Sequence, residues 1–218
     1  MRRTASLLFA VILLALSAAE ASAQSRHGGL FRPEDLGDLE SADRDTWQKP
    51  DQIMDSLGIA DGSKVADIGA GGGWFTVRLA RRVGPNGLVW AEDVQPEMLE
   101  ATKRRAAKEN LNNVKIALGS ATDPGLTANS LDAVLIVEAY QEIQNGNPQL
   151  FLQNVRTALK NGGRVGIVDY RKAGGGPGPD TPRPDPDAVV QVAERAGLRL
   201  VKRETFLPFQ FFLVFVKK

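Results

Sequence analysis

Two acidic residues and three glycines are spaced in a way that suits a nucleotide-type ligand. Asp67 is followed at alternate positions by Gly69, Gly71 and Gly73, and Asp93 comes later in the chain. Glycines let the backbone approach a ligand closely and adopt positive φ angles where a side chain would clash. An acid at the tip of the next strand can accept hydrogen bonds from both hydroxyls of a ribose. These residues therefore predict a site for a ligand that contains a ribose.

The glycine-rich segment lies between an apolar strand and a helical pattern. The strand Lys64–Ile68 runs into the glycines, and the next strand ends on Glu92-Asp93. A helix that begins here offers unpaired N–H groups and the positive end of its dipole to a ligand. The dinucleotide fingerprint Gly-x-Gly-x-x-Gly fails, because Trp74 occupies the sixth position counted from Gly69, and no P-loop sequence occurs. The spacing therefore excludes a dinucleotide-binding oxidoreductase and a P-loop enzyme.

Strands and helices alternate along most of the chain, and the strands are apolar throughout. Such strands are buried on both faces, so the repeated units predict a parallel sheet covered by helices on both sides. The predicted strands are Lys64–Ile68, Leu88–Ala91, Val114–Leu118, Ala133–Val137 and Arg164–Val168, and the predicted helices are Asp51–Leu57, Trp74–Val83, Pro96–Asn110, Pro148–Leu159 and Pro186–Ala196.

The C-terminal end departs from this alternation. Two strand-like runs, Leu198–Glu204 and Phe209–Val216, are separated by a break too short for anything but an antiparallel hairpin. The predicted fold class is therefore α/β, a Rossmann-like doubly wound sheet of about seven strands, mostly parallel with an antiparallel last strand. Alternation along that strand predicts that Phe211 and Phe215 share one face with Phe209 and that Phe212 lies on the other.

With the motif Asp-x-Gly-x-Gly-x-Gly and the antiparallel last strand, the chain resembles the class I S-adenosylmethionine-dependent methyltransferases. The resemblance runs from Trp47 to the C-terminus and implies S-adenosylmethionine as the cofactor. The cofactor-binding residues that it implies are Trp47, Asp67, Gly69, Gly71, Gly73, Asp93, Val94, Ser120 and Ala121.

The resemblance also implies a role for each of these residues. The glycines would lie against the methionyl part of the cofactor, and Asp67 would either approach the amino group or fix the loop. Asp93 would hold the ribose, and Val94 would flank the adenine. Ser120 and Ala121 would meet the adenine edge, although the family often has an acid at the position of Ser120.

The segment after the fourth strand faces the methyl group in this family. It reads Glu138-Ala139-Tyr140-Gln141 and lacks the Asn/Asp-Pro-Pro-Tyr of enzymes that methylate nucleobases and glutamine. Many small-molecule relatives carry a histidine at the position of Gln141. The candidate catalytic residues are Glu138, which would accept a proton or only bond its surroundings, and Tyr140, as a pocket wall. Asp169 with Glu138 supplies too few ligands for a metal ion, so no metal is predicted.

Two further segments are each open to two interpretations. Trp47 would cover the sulfonium through its aromatic face or serve as a core residue. The stretch Ala173–Pro186, rich in glycine and proline, follows the fifth strand at the rim where ligands bind in open α/β sheets. It is either a mobile flap with Arg183 as an anion contact or a solvated connector.

The N-terminus resembles a targeting segment. Arg2-Arg3 precede an apolar run from Leu7 to Leu16, and Ala21-Ser22-Ala23 has the small-x-small pattern of a cleavage site. The apolar run is too short for a comfortable permanent span, although an uncleaved anchor is the alternative. The predicted organisation is a signal peptide over 1–23, an N-terminal arm over 24–46 and a methyltransferase domain over 47–218. Cleavage after Ala23 predicts a periplasmic or secreted protein without stable membrane insertion.

The amino-acid composition limits the kinds of ligand and partner that the protein can bind. Loss of Arg2, Arg3 and Glu20 leaves 25 basic and 25 acidic residues, so the protein has no electrostatic footprint for nucleic acid. The chain has no cysteine, which excludes disulfides, cysteine nucleophiles and thiolate metal sites. Its single histidine, His27, is read as an exposed tail residue. The sequence does not indicate an oligomeric state.

These observations predict an S-adenosylmethionine-dependent methyltransferase that acts on a small-molecule or lipid-like acceptor. The alternative is an exported binding protein that keeps the methyltransferase fold without catalysis. Two observations support the alternative: the cofactor is made in the cytosol, and Ser120 and Gln141 depart from the family pattern.

Overall fold

The computed structural model describes residues 30–39, 41–173, 175–177 and 183–218. The chain divides into two units, Met1–Asp35 and Leu36–Lys218. In the described part of the first unit, Arg32 Nε donates to Asp35 Oδ2 at 2.7 Å. The signal segment predicted over 1–23 lies outside the described residues. Within the described ranges, no helix has the length and apolar character needed to cross a membrane.

The second unit alternates strands and helices as predicted. After a 3-10 helix at Pro33–Leu39, the elements are α1 Arg44–Gln48, α2 Pro50–Ser56, β1 Lys64–Ile68, α3 Trp74–Val83, β2 Leu88–Asp93, α4 Pro96–Lys108, β3 Val114–Leu118, β4 Leu131–Val137, α5 Tyr140–Ile143, α6 Pro148–Ala158, β5 Leu159–Tyr170, α7 Pro186–Arg195, β6 Leu198–Glu204 and β7 Gln210–Lys217.

The seven strands form one sheet in the order β3-β2-β1-β4-β5-β7-β6. β1 to β5 pair in parallel, and β7 is antiparallel to both β5 and β6. The short link between β6 and β7 allows only a hairpin, whereas each parallel pair is joined by a longer crossover. The predicted fold class is confirmed.

Two hydrophobic clusters cover the two faces of the sheet. One contains residues of α6 and α7 and the other residues of α2 and α3, and β4 contributes alternate residues to each. Phe211 and Phe215 lie in the first cluster and Phe212 in the second, as the alternation predicts. Phe209 precedes the first residue of β7. Because both faces are buried, the carboxyl ends of the strands form the open edge available to a ligand.

The start of β5 and the end of α4 are among the boundaries that differ from the prediction. β5 begins at Leu159 rather than Arg164, because Asn161-Gly162-Gly163 lie inside the strand at a shift of its register with β4. The glycines mark a bulge there and not a helix-ending turn. α4 ends at Lys108 and not Asn110, whose φ of 56° is left-handed.

Two short helices were not predicted. α1 crosses the predicted boundary between arm and domain at residues 46 and 47, and α5 begins directly after β4. Neither has enough residues to show a helical pattern in the sequence.

Candidate functional site

The glycine loop after β1 has the backbone conformation that its sequence predicts. Gly69, Gly71 and Gly73 have φ angles of 67°, 53° and 80°. A Cβ at Gly69 would collide with the Cβ of Ala139, which follows β4, so the loop packs against the end of that strand. Thr102 of α4 donates from Oγ1 to the carbonyl oxygen of Gly71 at 2.7 Å. The loop is therefore held from two sides in a conformation that only glycine adopts without strain.

Asp93 connects the glycine loop to the end of β2. Its Oδ2 accepts a hydrogen bond from the backbone N–H of Gly71 at 2.9 Å, and its Oδ1 accepts one from Gln95 N–H at 3.0 Å. Burial raises the pKa of this carboxyl, and the backbone N–H groups of Gln95, Gly71 and Val94 oppose that rise. Each carboxylate oxygen has a second lone pair, which leaves capacity for a ribose hydroxyl.

Asp67 is buried beneath the loop. Thr76 of α3 donates from Oγ1 to Asp67 Oδ2 at 2.6 Å. Burial raises the pKa of Asp67 to about 6, while the hydrogen bond from Thr76 and the charge of Arg44 lower it. Of the two roles proposed from the sequence, this geometry favours fixing the loop, because the hydrogen bond from Thr76 to Asp67 ties the end of β1 to the helix that follows the glycines.

Glu92 is a buried acid to which the sequence interpretation gave no separate role. It is 2 % exposed, and a Cβ at Gly119 would collide with its Oε1. Burial, followed by the charge of Asp93, raises the pKa of Glu92 to about 8, while the N–H of Gly69 opposes that rise. Among the described residues Glu92 Oε1 has no hydrogen-bond partner. The one sequence signal was a second acid directly before Asp93, and the structure places it in register with the core residue Ile68.

Val94, Ser120 and Ala121 follow two neighbouring strands, since Asp93 of β2 is in register with Leu118 of β3. Val94 is half-buried, whereas Ser120 and Ala121 are exposed. Ser120 Oγ accepts from Asp123 N–H at 3.0 Å and donates to Asp123 O at 3.2 Å, so it closes its own turn. The structure therefore places all three at the carboxyl edge of β2 and β3.

Glu138 lies at the centre of a buried polar network. Its Oε1 accepts hydrogen bonds from Gln48 Nε2 at 3.1 Å and Gln210 Nε2 at 2.8 Å, and its Oε2 lies 3.5 Å from Arg44 Nη2. The side chain of Tyr170 also bonds this carboxylate, and burial followed by the charge of Glu138 raises the pKa of its hydroxyl. Glu138 has a φ of 58°, a conformation that costs about 1–2 kcal/mol outside glycine.

The members of this network come from four separate segments. Arg44 and Gln48 lie on α1, Glu138 follows β4, Tyr170 ends β5 and Gln210 begins β7. Arg44 Nε donates to Gln48 Oε1 at 2.6 Å, and Gln48 Nε2 donates to Gln210 Oε1 at 3.0 Å. Sequence reasoning missed Arg44, Gln48 and Gln210, because no local pattern shows that residues so far apart in the chain meet.

α1 is also fastened to the helix that follows the glycine loop. The ring of Trp74 lies between two guanidinium groups, with Arg44 Cζ 4.3 Å and Arg78 Cζ 3.5 Å from its centroid. Arg78 donates to both carboxylate oxygens of Asp45 on α1, at 2.9 and 2.8 Å. Trp74 thereby links α1 to the first turn of α3, directly after the last glycine of the loop.

Trp47 belongs to an aromatic cluster rather than to the glycine loop. Its ring centroid lies 6.3 Å from that of Tyr170 and 6.0 Å from that of Phe209. Its side chain is buried, and its Nε1 has no hydrogen-bond partner among the described residues. Because Tyr170 also bonds Glu138, the cluster forms a wall beside the network.

Arg183 lies on the outer side of Tyr170. Its Cζ is 5.1 Å from the Tyr170 ring, and its Nη1 donates to the carbonyl oxygens of Arg171 and Gly175, both at 3.0 Å. These contacts hold the start of the segment that follows β5. Residues 174 and 178–182 of the predicted flap lie outside the described part of the chain.

The two candidate catalytic residues have different surroundings. Glu138 lies in the polar network, whereas Tyr140 is 2 % exposed and packs in the hydrophobic cluster with Phe151 and Leu152. Burial raises the pKa of Tyr140 to about 12. A catalytic role for Tyr140 stays a prediction, and its placement favours packing.

Asp169, the proposed partner of Glu138 in a metal site, is tied to the backbone. Its carboxylate accepts from the N–H groups of Tyr170 at 2.8 Å and Gln141 at 3.3 Å, and burial raises its pKa to about 7. Within the described residues, no group of three or more His, Cys, Asp or Glu side chains is arranged to hold a metal ion.

Comparison with known proteins agrees with this geometry. Residues 65–163 match a family model described as a methyltransferase domain. Over 132 residues the chain is 31% identical to an arsenite methyltransferase of Halobacterium salinarum, covering 61% of this chain and 33% of the relative. Over 119 residues it is 32% identical to a demethylmenaquinone methyltransferase of Staphylococcus aureus, covering 55% and 47%. The chain thus spans about half or less of the curated relatives that it matches.

A solved structure extends the comparison to most of the fold. The crystal structure of a SAM-dependent methyltransferase from Aquifex aeolicus superposes with a TM-score of 0.75 at 24% identity, covering 85% of this chain and 98% of that chain. The sheet order, the glycine loop and the family match agree with one another. Residues 65–163 are thus similar to a methyltransferase domain, and 85% of this chain has the fold of that SAM-dependent methyltransferase.

Proposed function

We propose that this protein is an exported methyltransferase that transfers the methyl group of S-adenosylmethionine to a small-molecule or lipid-like acceptor. The observation that carries the proposal is the glycine loop, in which three residues at positive φ are held between Asp67 and Asp93. This arrangement presents backbone N–H groups and an acid at the carboxyl edge of the sheet, where ligands bind in this class of fold.

Methyl transfer from S-adenosylmethionine requires little covalent chemistry from the protein. The sulfonium of S-adenosylmethionine makes its methyl group electrophilic, so the main task is to align the acceptor in line and to exclude water. Asp93 and the glycine loop would orient the cofactor from the β2 side. The Glu138 network and the aromatic wall, which meet at Tyr170, would orient the acceptor from the β4 and β5 side.

Within this proposal Glu138 acts as a positioning residue rather than a general base. A carboxylate oxygen that accepts two hydrogen bonds has both of its lone pairs in use. Glu138 accepts from two side-chain amides and lies beside the guanidinium of Arg44. Its fixed oxygens would hold a polar group of the acceptor without taking its proton.

The acceptor side favours a flat organic molecule over arsenite. Trivalent arsenic seeks soft thiolate ligands, and this chain contains no cysteine. Trp47, Tyr170 and Phe209 instead offer an aromatic wall, and the N–H of Trp47 has no partner among the described residues. An aromatic or lipid-like acceptor with an oxygen at its edge would satisfy that donor. The S. aureus relative, a demethylmenaquinone methyltransferase by name, makes a demethylated quinol a reasonable first test substrate.

Export rests on the N-terminal segment alone. The arginine pair, the short apolar run and the Ala21-Ser22-Ala23 sequence have the pattern of a cleavable signal. Fractionation of the native host, with mass spectrometry of the mature N-terminus, tests this part. A periplasmic or secreted chain that begins at Gln24 supports it, and a cytosolic chain that begins at Met1 contradicts it.

Calorimetric titration with S-adenosylmethionine and S-adenosylhomocysteine tests the ligand site. Asp93→Ala should abolish binding, because it removes both the ribose acceptor and the bond to Gly71. Asp132→Ala is the matched control. Asp132 also accepts a hydrogen bond from a backbone N–H, that of Lys64 at 2.8 Å, but it lies where β1 and β4 begin rather than at their carboxyl ends. Lack of binding by folded wild-type protein would overturn the proposal, whereas binding without turnover over an acceptor screen would favour the non-catalytic alternative.

A further inference from the structure

The last two residues of β2 join the two loops that border the proposed cofactor site. The backbone N–H of Ala70, in the glycine loop, donates to the carbonyl oxygen of Glu92 at 2.9 Å. The N–H of Gly119, directly after β3, donates to the carbonyl oxygen of Asp93 at 3.1 Å. The family resemblance implies that the first loop meets the methionyl part of the cofactor and that the second meets the adenine. The end of β2 therefore sets the spacing between the two loops.

The side chain of Glu92 lies between the same two loops. The N–H of Gly69 donates a hydrogen bond to its carboxyl group. Its Oε1 lies so close to Gly119 that a Cβ at this position would collide with it, so the glycine leaves the room that the carboxyl group occupies. This buried oxygen has no hydrogen-bond partner among the described residues. The side chain thus contacts both loops and has a hydrogen bond to only one of them.

The surroundings of Glu92 disfavour its ionised form. The charges that act on it are those of Asp93 on β2, Asp67 on β1 and Asp123 after β3, and these three residues are acids. An ionised carboxylate that is buried without a full set of partners costs far more free energy than a neutral carboxyl group. Burial, followed by the charge of Asp93, raises the pKa of Glu92 to about 8. The neutral acid is therefore the main form at pH 7.

A bound cofactor would increase the cost of ionising Glu92. A ligand that spans the glycine loop and the residues after Gly119 covers the side chain between them and excludes water from it. Exclusion of water lowers the local dielectric constant and makes a buried charge less favourable. S-adenosylhomocysteine is the clearer probe of this effect, because it has no positive sulfonium that would offset the negative charge of Glu92.

We propose that Glu92 positions the two loops of the cofactor site as a neutral acid, and that its ionisation weakens cofactor binding. The inference rests on the proposed function, because it takes S-adenosylmethionine and S-adenosylhomocysteine as ligands of the glycine loop. Glu92 acts through the backbone of Gly69 and Gly119 and takes no part in methyl transfer itself. Only the neutral fraction binds the cofactor well, and this fraction falls as the pH rises above about 8.

Calorimetric titration with S-adenosylhomocysteine at pH 7 and pH 9 tests the inference on wild type and Glu92→Gln. Glutamine is a neutral isostere whose amide oxygen can accept the N–H of Gly69, so the variant should bind within a few-fold of wild type at pH 7. The affinity of wild type relative to Glu92→Gln should fall by roughly tenfold at pH 9, because the neutral fraction falls by that factor. The ratio of the two affinities removes the titration of the ligand's own α-amino group, which lies near pH 8.

Glu97→Gln is the matched control, because it makes the same replacement at an exposed position on α4. Its affinity should follow that of wild type at both pH values. An affinity ratio between wild type and Glu92→Gln that does not change with pH overturns this inference and leaves the proposed function standing. If folded wild type does not bind S-adenosylhomocysteine at either pH, both the inference and the proposed function are overturned.

A second measurement needs no variant and applies even if Glu92→Gln does not fold. Wild type is titrated at pH 9 with 5′-methylthioadenosine, which keeps the ribose and the adenine and lacks the titrating amino-acid part. Titrations in two buffers of different ionisation enthalpy give the number of protons exchanged on binding. Uptake of protons on binding supports the inference, since the bound protein holds Glu92 in its neutral form. Binding without proton uptake overturns it.

Discussion

The glycine loop and the Glu138 network are constructed differently. The glycine loop spans five residues, and its conformation follows from residue types that are adjacent in the sequence. The Glu138 network joins Gln48, Glu138 and Gln210, which are separated by 90 and 72 residues. The first region depends on backbone conformation and the second on long-range side-chain contacts. Under the proposed function, cofactor binding and acceptor positioning should therefore respond to different kinds of substitution.

Gly69→Ala should have the largest effect, because it forces a side chain into a left-handed conformation and against Ala139. We expect a loss of about 2–4 kcal/mol in the free energy of unfolding together with loss of cofactor binding, measured by urea titration and calorimetry. Gly62→Ala is the matched control, since Gly62 has a φ of 81° with no atom near its missing Cβ. Equal losses in the two variants would show that the contact with Ala139 is unimportant.

Glu92→Gln should stabilise the protein at alkaline pH. The folded-state pKa of about 8 lies above the usual 4.5, so the folded state holds the proton more tightly and stability falls as pH rises between these values. Glutamine carries no titrating proton. The free energy of unfolding of the variant relative to wild type should therefore increase over this window, by on the order of a few kcal/mol.

Chemical denaturation of both proteins at pH 5 and pH 9 measures this difference. The same comparison for Glu97→Gln, at an exposed position on α4, is the control for replacing a glutamate by a glutamine. The raised pKa of Asp169 cancels in this comparison, whereas the charges of Asp93 and Asp67 act on Glu92 and are part of the difference that it measures. If the difference in free energy of unfolding between Glu92→Gln and wild type does not change with pH, Glu92 is not a buried ionisable group beside the glycine loop.

Glu138→Gln should separate the two sides of the site. The change replaces an acceptor by an amide and turns an N–H₂ group toward the amides of Gln48 or Gln210, at a cost of about 1–3 kcal/mol. We expect methyl transfer to fall at least tenfold once an acceptor is known, while the calorimetric affinity for S-adenosylmethionine changes only a few-fold. Loss of cofactor affinity as large as that of Asp93→Ala would show that the two regions do not act independently.

Arg78→Ala should have the smallest effect. It removes one of the two guanidinium groups on Trp74 and the pair with Asp45, which together are worth about 1 kcal/mol at a partly exposed position. Hydrogen exchange over residues 41–49 should become faster, while the core strands keep their protection. Arg81→Ala, which removes only the exposed pair with Glu109, should leave that segment unchanged. Faster exchange throughout the chain would indicate general destabilisation instead.

The accuracy of the sequence interpretation follows the same division. The parallel strands, the hairpin and the alternation of Phe211 and Phe212 were predicted, because they depend on periodicity and on loop length, which are local properties. The bulge at Gly162 was predicted as a turn, because a glycine pair has the same appearance in both. Glu92 and Asp93 are adjacent acids in the sequence, but their contacts differ. Asp93 accepts a hydrogen bond from Gly71 of the glycine loop, whereas Glu92 is buried against Gly119.

The fold class, the glycine loop and the acid at the end of β2 could be predicted because each depends on residue types within a few positions of one another. The packing of Tyr140 in the core, the contacts of Trp47 with Tyr170 and Phe209, and the hydrogen bonds of Glu138 with Gln48 and Gln210 became visible in the folded chain. The physical reason is that a side chain's partner depends on which distant segments the sheet order brings to the same edge. No spacing within one segment contains that information.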